Sequence, residues 1–261
     1  LLYEVSVTPK PGLVDRSNSG SHSDMDFFSF LDSTSALTPW LREMFRTGWN
    51  HAHKEAAEMF SALRLIGLQA EDAMLRATNG VNTHKGIIFS LCVFGGAYGK
   101  VSALSFPVQP ALSDILSVCR TLGGCALSEL PSLPGDTSGE RCYLAYGAEG
   151  IRGEAARGFP SVMQIGLPAL RRALQAGHSI NDAAALALLA LIGGVEDTNM
   201  IHRGGYELAQ MRRAEANALS AADISTDTLS ALDRQYIREN LSPGGCADLL
   251  TVSLLLLFLT G

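Results

Sequence analysis

Four polar, glycine-bearing stretches interrupt an apolar chain, and each carries acids, cations or histidines. The one with the clearest physical logic is Asn79-Gly80-Val81-Asn82-Thr83-His84-Lys85-Gly86, followed at once by the apolar run Ile87 to Tyr98. Glycines permit backbone angles and close approaches that a side chain forbids. Asn82 or Thr83 is placed to cap the helix that the apolar run predicts. Lys85 sets an ammonium beside the first N–H groups of that helix. Free amides, a positive dipole end and a cation together make an anion site. His84, in the same turn, can carry a proton near neutral pH. An ordinary capped loop with a solvated lysine has the same residues, so the weight falls on what accompanies this octet.

The first of the other stretches runs Pro9-Lys10-Pro11-Gly12-Leu13-Val14-Asp15-Arg16 and on through Gly20-Ser21-His22-Ser23-Asp24-Met25-Asp26. Another is Glu196-Asp197-Thr198-Asn199, with His202-Arg203-Gly204-Gly205 behind it. The last is Ser242-Pro243-Gly244-Gly245-Cys246-Ala247-Asp248. Taken singly, each reads as a helix connection, with Asp24 and Asp248 complementing helix dipoles and Lys10 and Arg16 solvated. Taken together, they pool acids, cations and histidines. Such a pool suits a polyphosphate accompanied by a divalent ion: carboxylates and water hold the hard cation, and Lys and Arg take the remaining phosphate charge. The chain has no G-x-x-x-x-G-K-[ST] loop and no G-x-G-x-x-G after a strand, which disfavours P-loop phosphoryl transfer. It also lacks H-E-x-x-H, zinc-type cysteine spacing and a G-x-S-x-G elbow.

Helices must position these stretches. Apolar residues recur at helical spacing in Asp24–Phe30, Trp40–Trp49, His53–Leu65, Glu71–Arg76, Ile87–Tyr98 and Ala111–Leu122, the last stopped by Gly123-Gly124. Further helices are expected over 141–157, 162–175, 182–192, 206–219, 226–239 and 247–259, with Asn181 and Ser225 as caps. Leu1 to Val7 reads as a helix end or a short strand, and Ser128 to Gly139 as an exposed loop. Strand alternation is missing. The expected fold is all-α: residues 1–261 as one compact multi-helix domain around buried apolar central helices. Of the 261 residues, 47% are hydrophobic and 18% charged, enough for a large core. A net charge of -6 argues against nucleic acid as a partner. The most apolar runs, Ala183 to Val195 and Leu249 to Leu259, are too short to span a bilayer, so no membrane association is expected. Five scattered cysteines read as reduced thiols of a cytoplasmic protein. A homodimer is the assembly expected of so apolar a helical chain.

The same stretches, in the same order, resemble the triphosphoribosyl-dephospho-coenzyme A synthase family, which makes the prosthetic-group precursor of citrate lyase or malonate decarboxylase. The resemblance rests on Glu4-Val5 with Pro9 to Asp15, Gly20-x-His22-x-Asp24-Met25, Gly80 to Gly86, Asp197-Thr198-Asn199 with Arg203-Gly204-Gly205, and Leu241 to Leu250. It implies a transferase that joins ATP and 3'-dephospho-CoA at C1' of the ATP ribose and releases adenine. The triphosphate survives, in keeping with the lack of a P-loop. The resemblance further implies that Asp24 or Asp197 activates the acceptor hydroxyl and that His84 assists the departing adenine or a phosphate. Lys10, Arg16, Lys85 and Arg203 would hold the triphosphate. His22, Asn82, Thr83, Asn199, Gly204 and Gly245 would complete the substrate contacts. Magnesium is expected with ATP, with Asp15, Asp197 and Asp248 as candidate ligands. Ser23 stands where relatives are expected to carry a basic residue.

Two other readings predict different behaviour. A metal-dependent N-glycosidase or ADP-ribosyl hydrolase would break the same kind of bond with water as acceptor. A helical interaction module would bind no nucleotide at all.

Overall fold

The structure is a computed structural model that describes residues 1–220 and 224–260. The described residues form thirteen α-helices and no strand. In chain order these are α1 (Leu2–Ser6), α2 (Phe27–Asn50), α3 (Ala56–Ala77), α4 (Lys85–Ser105), α5 (Leu112–Glu129), α6 (Ser138–Tyr146) and α7 (Gly150–Ala156). They continue as α8 (Leu167–Gln175), α9 (Ile180–Gly194), α10 (Thr198–Gly204), α11 (Tyr206–Ser220), α12 (Thr226–Arg238) and α13 (Gly244–Thr260). A 3-10 turn, Leu130–Ser132, follows α5, and a π-helical turn, Val162–Gly166, leads into α8. The expected all-α fold is what the chain adopts.

The helices gather into two compact units, each assembled from separate stretches of chain. The first comprises Leu1–Phe30, Gly135–Gly150 and Pro160–Gly261. The second comprises Leu31–Pro134 and Ile151–Phe159.

In the first unit, α9 is the apolar centre and packs against α8, α11 and α13. Its Leu188, Leu189, Leu191 and Ile192 are all fully buried. Burying each such side chain stabilises by about 1.5–3 kcal/mol. Ser179, not Asn181, caps this helix, accepting from the Asp182 N–H at 3.2 Å. Asn181 is occupied elsewhere, bonding Thr8 at both its amide oxygen and its amide nitrogen. Ser225 caps α12 as expected.

In the second unit, α3, α4 and α5 pack on one another. α4 is long and apolar enough to cross a membrane by length and composition, and more than half of its most apolar window is buried inside the protein. Close packing also explains why the helices here are longer than the sequence pattern predicts. The stretches 53–65 and 71–76 are one helix, because Gly67 faces Cys92 Sγ, where an added Cβ would lie at 3.2 Å. Gly123-Gly124 does not stop α5. A Cβ on Gly123 would fall 2.3 Å from the Ala156 backbone nitrogen, so this glycine is a contact point inside a continuous helix. α2 likewise runs through Pro39 to join the expected short helices on either side of it. The stretch 141–157, by contrast, is divided: Gly147, with φ +71°, closes α6 in the left-handed region.

Candidate functional site

Three of the four polar stretches meet in the first unit, and the meeting is built by backbone contacts. The segment 8–21 folds back on itself: Ser21 N–H donates to Gly12 O at 3.0 Å. The segment then lies on the turn before α13. A Cβ on Gly12 would sit 2.2 Å from Leu241 O, and Gly12 has φ +70°, so no other residue fits there. Ser21 Oγ donates to Leu241 O at 2.6 Å. Arg203, near the end of α10, joins the same junction: its guanidinium donates to Ser21 O and, at 2.9 Å and 2.6 Å, to Asn240 O and Oδ1.

This junction places three polar side chains in a row. His22 Nε2 is 2.9 Å from Ser242 Oγ, and His22 Nδ1 is 3.8 Å from Asp24 Oδ1. His22 is half-buried, Ser242 is buried and Asp24 is exposed. Burial, and then the Arg203 charge, lower the His22 pKa against the opposing pull of Asp24. The imidazole therefore holds a proton less tightly than a free one, with one nitrogen on a hydroxyl and the other toward a carboxylate.

Beside this row, two helix N-termini face one carboxylate. Asp197 caps α10: its Oδ1 accepts from the Asn199 and Met200 N–H groups at 2.8 and 3.1 Å. Its Oδ2 accepts from the Cys246 N–H, in the first turn of α13, at 2.8 Å. Gly244 and Gly245 make this possible. Added Cβ atoms would lie 2.8 Å from Asn199 Nδ2 and 3.0 Å from Asp197 Oδ2. Burial raises the Asp197 pKa, and the three backbone donors pull it back part of the way. Gly204 packs under Leu241, and Asp248 is half-buried on α13.

Two residues expected to face ligand are turned inward. Lys10 is 1% exposed, and its ammonium lies 2.5 Å from Glu4 Oε1. Asp15 is equally buried and accepts from the Lys10, Ser17 and Asn18 N–H groups at 3.1, 2.7 and 3.1 Å. Both hold the shape of the 8–21 segment. Arg16 is exposed, within 3.4 Å of Thr8 Oγ1 and 3.3 Å of Asn181 Oδ1. It borders a cavity of about 190 Å³ lined by Tyr3, Val7, Ile180 and Leu254. Among the described residues, no three His, Cys, Asp or Glu side chains come together as a metal cage, so Asp15, Asp197 and Asp248 do not form one.

The octet belongs to the second unit. Asn82 Oδ1 accepts from the Lys85 N–H at 3.1 Å and so ties down the first turn of α4. His84 is buried, with Nδ1 at 2.5 Å from Ser33 Oγ, and Thr83 Oγ1 donates to the same Ser33 oxygen at 2.8 Å. Lys85 is exposed and paired with Glu71 at 3.1 Å.

The sequence alone does not single out Asp233, Asn240 or Ser33, and Glu4 and Ser242 enter only as parts of longer stretches. Asp233, buried on α12, accepts from Gly12 N–H at 3.0 Å and from Asn18 Nδ2 at 2.9 Å. Its partners lie more than 200 positions away in the chain, and no local pattern marks it.

Comparison with known proteins bears on what this corner does. Residues 1–261 match the model of the CitG family, described as ATP:dephospho-CoA triphosphoribosyl transferase. The chain is 43% identical to the 2-(5''-triphosphoribosyl)-3'-dephosphocoenzyme-A synthase of Pectobacterium atrosepticum, over 98% of this chain and 85% of that protein. It is 41% identical to a Streptococcus equi subsp. zooepidemicus protein named as a probable synthase of the same kind, over 99% of this chain and 93% of the relative. A crystal structure from Archaeoglobus fulgidus, provisionally described as a triphosphoribosyl-dephospho-CoA synthase, shares the fold. Its TM-score is 0.58 at 19% identity, covering 90% of this chain and 99% of that one.

Proposed function

Because the chain belongs to the ATP:dephospho-CoA triphosphoribosyl transferase family, we propose that the junction of His22, Asp24, Arg203 and Ser242 is where it handles the proton of that reaction. The enzyme joins ATP and 3'-dephospho-CoA to give 2'-(5''-triphosphoribosyl)-3'-dephospho-CoA and adenine. The bond from C1' of the ATP ribose to adenine breaks. A bond from the same carbon to the 2'-oxygen of dephospho-CoA forms. The proton of the 2'-hydroxyl leaves with adenine, so atoms and charge balance. The transition state is oxocarbenium-like at C1', and it gains from a carboxylate nearby and a base on the acceptor.

His22 is the base in this reading. Burial and Arg203 lower its pKa, its ring is fixed by Ser242, and Asp24 is near enough to favour the imidazolium that forms. Asp197 has the opposite character. Its oxygens are engaged by three backbone N–H groups, which fits a part that binds α10 to α13 better than one that reaches the substrate. Arg203 and Arg16 are the cations of this unit offered to the triphosphate. Asn199, Gly204 and Gly245 shape the floor of the corner. Asn82, Thr83 and His84 keep the start of α4 in place.

Magnesium enters as part of the nucleotide. With Asp15 and Asp197 already accepting backbone N–H groups, the donor set does not fit a dedicated protein cage. Magnesium binds readily through substrate phosphates, water and one or two carboxylates. A cytoplasmic location fits a substrate such as ATP and five cysteines that are all free thiols.

The observation that carries the reading is the family match along the entire chain. The test is adenine release, followed by chromatography, with the coupled product followed by mass spectrometry. Release of adenine that requires both Mg·ATP and dephospho-CoA supports transfer. Release that ignores the acceptor makes the protein a glycosidase, and no release with both substrates overturns the assignment.

A further inference from the structure

The loop that carries His22 has two limbs, and one buried carboxylate outside every polar stretch holds both. Asp233 Oδ1 accepts from Gly12 N–H on the outgoing limb. Asp233 Oδ2 accepts from Asn18 Nδ2 on the returning limb. Asn18 passes the restraint onward, because its own Oδ1 accepts from Gly20 N–H at 2.6 Å. Gly20 has φ +57°, and its place against Leu13 leaves no room for a side chain. Two residues later comes His22, whose N–H donates to Ser19 O at 3.1 Å. One turn along α12 from Asp233, Tyr236 supports the same loop: its Cβ lies under Gly12 and its carbonyl accepts from Ser21 Oγ.

We propose that Asp233 is a positioning residue of the transferase, setting where His22 meets the acceptor hydroxyl through the relay Asp233, Asn18, Gly20. The proposal rests on the reading of His22 as the base. Its chemistry is specific to a carboxylate. Asp233 must accept at both oxygens, since both groups facing it are donors. An amide at this position can still accept from Gly12, but its NH₂ then meets the NH₂ of Asn18. Asn18 cannot turn over to relieve this, because its oxygen is held by Gly20 N–H.

The experiment measures kcat and KM for both substrates, together with melting temperature, in wild type and three variants. Asp233→Asn should lower kcat about 10- to 100-fold while each KM changes less than about threefold, the pattern of a base displaced by about an ångström. Asn18→Ala, at an exposed position, should lower kcat similarly with a melting temperature near wild type, and it carries the test if Asp233→Asn does not fold. The double variant Asn18→Asp/Asp233→Asn exchanges donor and acceptor. The new carboxylate then accepts from Gly20 and from the amide at 233, whose oxygen accepts from Gly12. This variant should return kcat to within about fivefold of wild type. Unchanged kcat in Asn18→Ala, loss confined to KM, or a double variant that recovers its melting temperature but not its kcat would each overturn the proposal. A wild type that releases no adenine with both substrates would instead overturn the functional reading, which separates the two failures.

Discussion

Asp197→Asn tests the junction of α10 and α13 most directly, because it changes one atom and leaves the shape alone. Asn is as good a helix cap as Asp, so the contacts to Asn199 and Met200 N–H survive through the amide oxygen. The second contact does not survive. The Cys246 N–H, now 2.8 Å from a carboxylate oxygen, would face an NH₂ group. A hydrogen bond to a charged acceptor contributes about 1.5–3 kcal/mol, and a buried donor left without one costs a similar amount. Against this stands the burial of a charge, which raises the Asp197 pKa and is relieved in the variant. We expect a net loss of about 1–2 kcal/mol at pH 7, or roughly 2–6 °C in Tm by the usual scaling. The sign of the pH dependence follows from the raised pKa. The folded protein holds the Asp197 proton more tightly than the unfolded chain, so wild type gains stability relative to the variant as pH falls through the folded pKa toward about 4. Paired thermal melts at pH 7 and pH 5 measure both. A variant at least as stable as wild type at pH 7, or a gap that narrows on acidification, would refute the reasoning.

Four other outcomes are expected. Gly12→Ala should destabilise by at least about 2 kcal/mol, since its Cβ would lie 2.2 Å from Leu241 O at φ +70°; denaturant titration reads it. Lys10→Met strands Glu4 in the interior and should cost about 3–5 kcal/mol, whereas Glu4→Leu/Lys10→Met should recover most of that in the same titration. Lys85→Ala breaks an exposed pair with Glu71 and should cost less than about 1 kcal/mol in stability, read by the same titration. Burial and Arg203 depress the His22 pKa, so the acid limb of the kcat/KM profile should lie below the usual imidazole value of about 6.5 and should move up in Arg203→Gln.

The chemistry-bearing stretches were legible in the sequence because acids, cations and glycines stand out in an apolar helical chain. The central helices α4, α9 and α13 were legible for the converse reason: long runs without charge have to be buried. What escaped depends on distance in the chain. Gly123-Gly124 looks like a helix stop until Ala156 is known to press on it. Lys10 looks like a phosphate ligand until α1 brings Glu4 beneath it. Asp233 sits on an ordinary amphipathic helix and acquires meaning only when Gly12, from the other end of the chain, reaches it. The row of Ser242, His22 and Asp24 has the same origin, since its members are brought together across 220 positions.

That separation has a consequence for how the protein comes into being. Residues 8–24 are made well before their partners, yet Thr8 waits for Asn181, Gly12 for Asp233 and His22 for Ser242. Domains fold as units during synthesis, and here residues 8–24 cannot complete their contacts until α12 and the turn before α13 are made. A nascent chain arrested before α12 would lack Asp233, Leu241 and Ser242 beneath the loop and leave uncovered the greasy flank of α9 on which α13 packs, a natural target for chaperones and proteases.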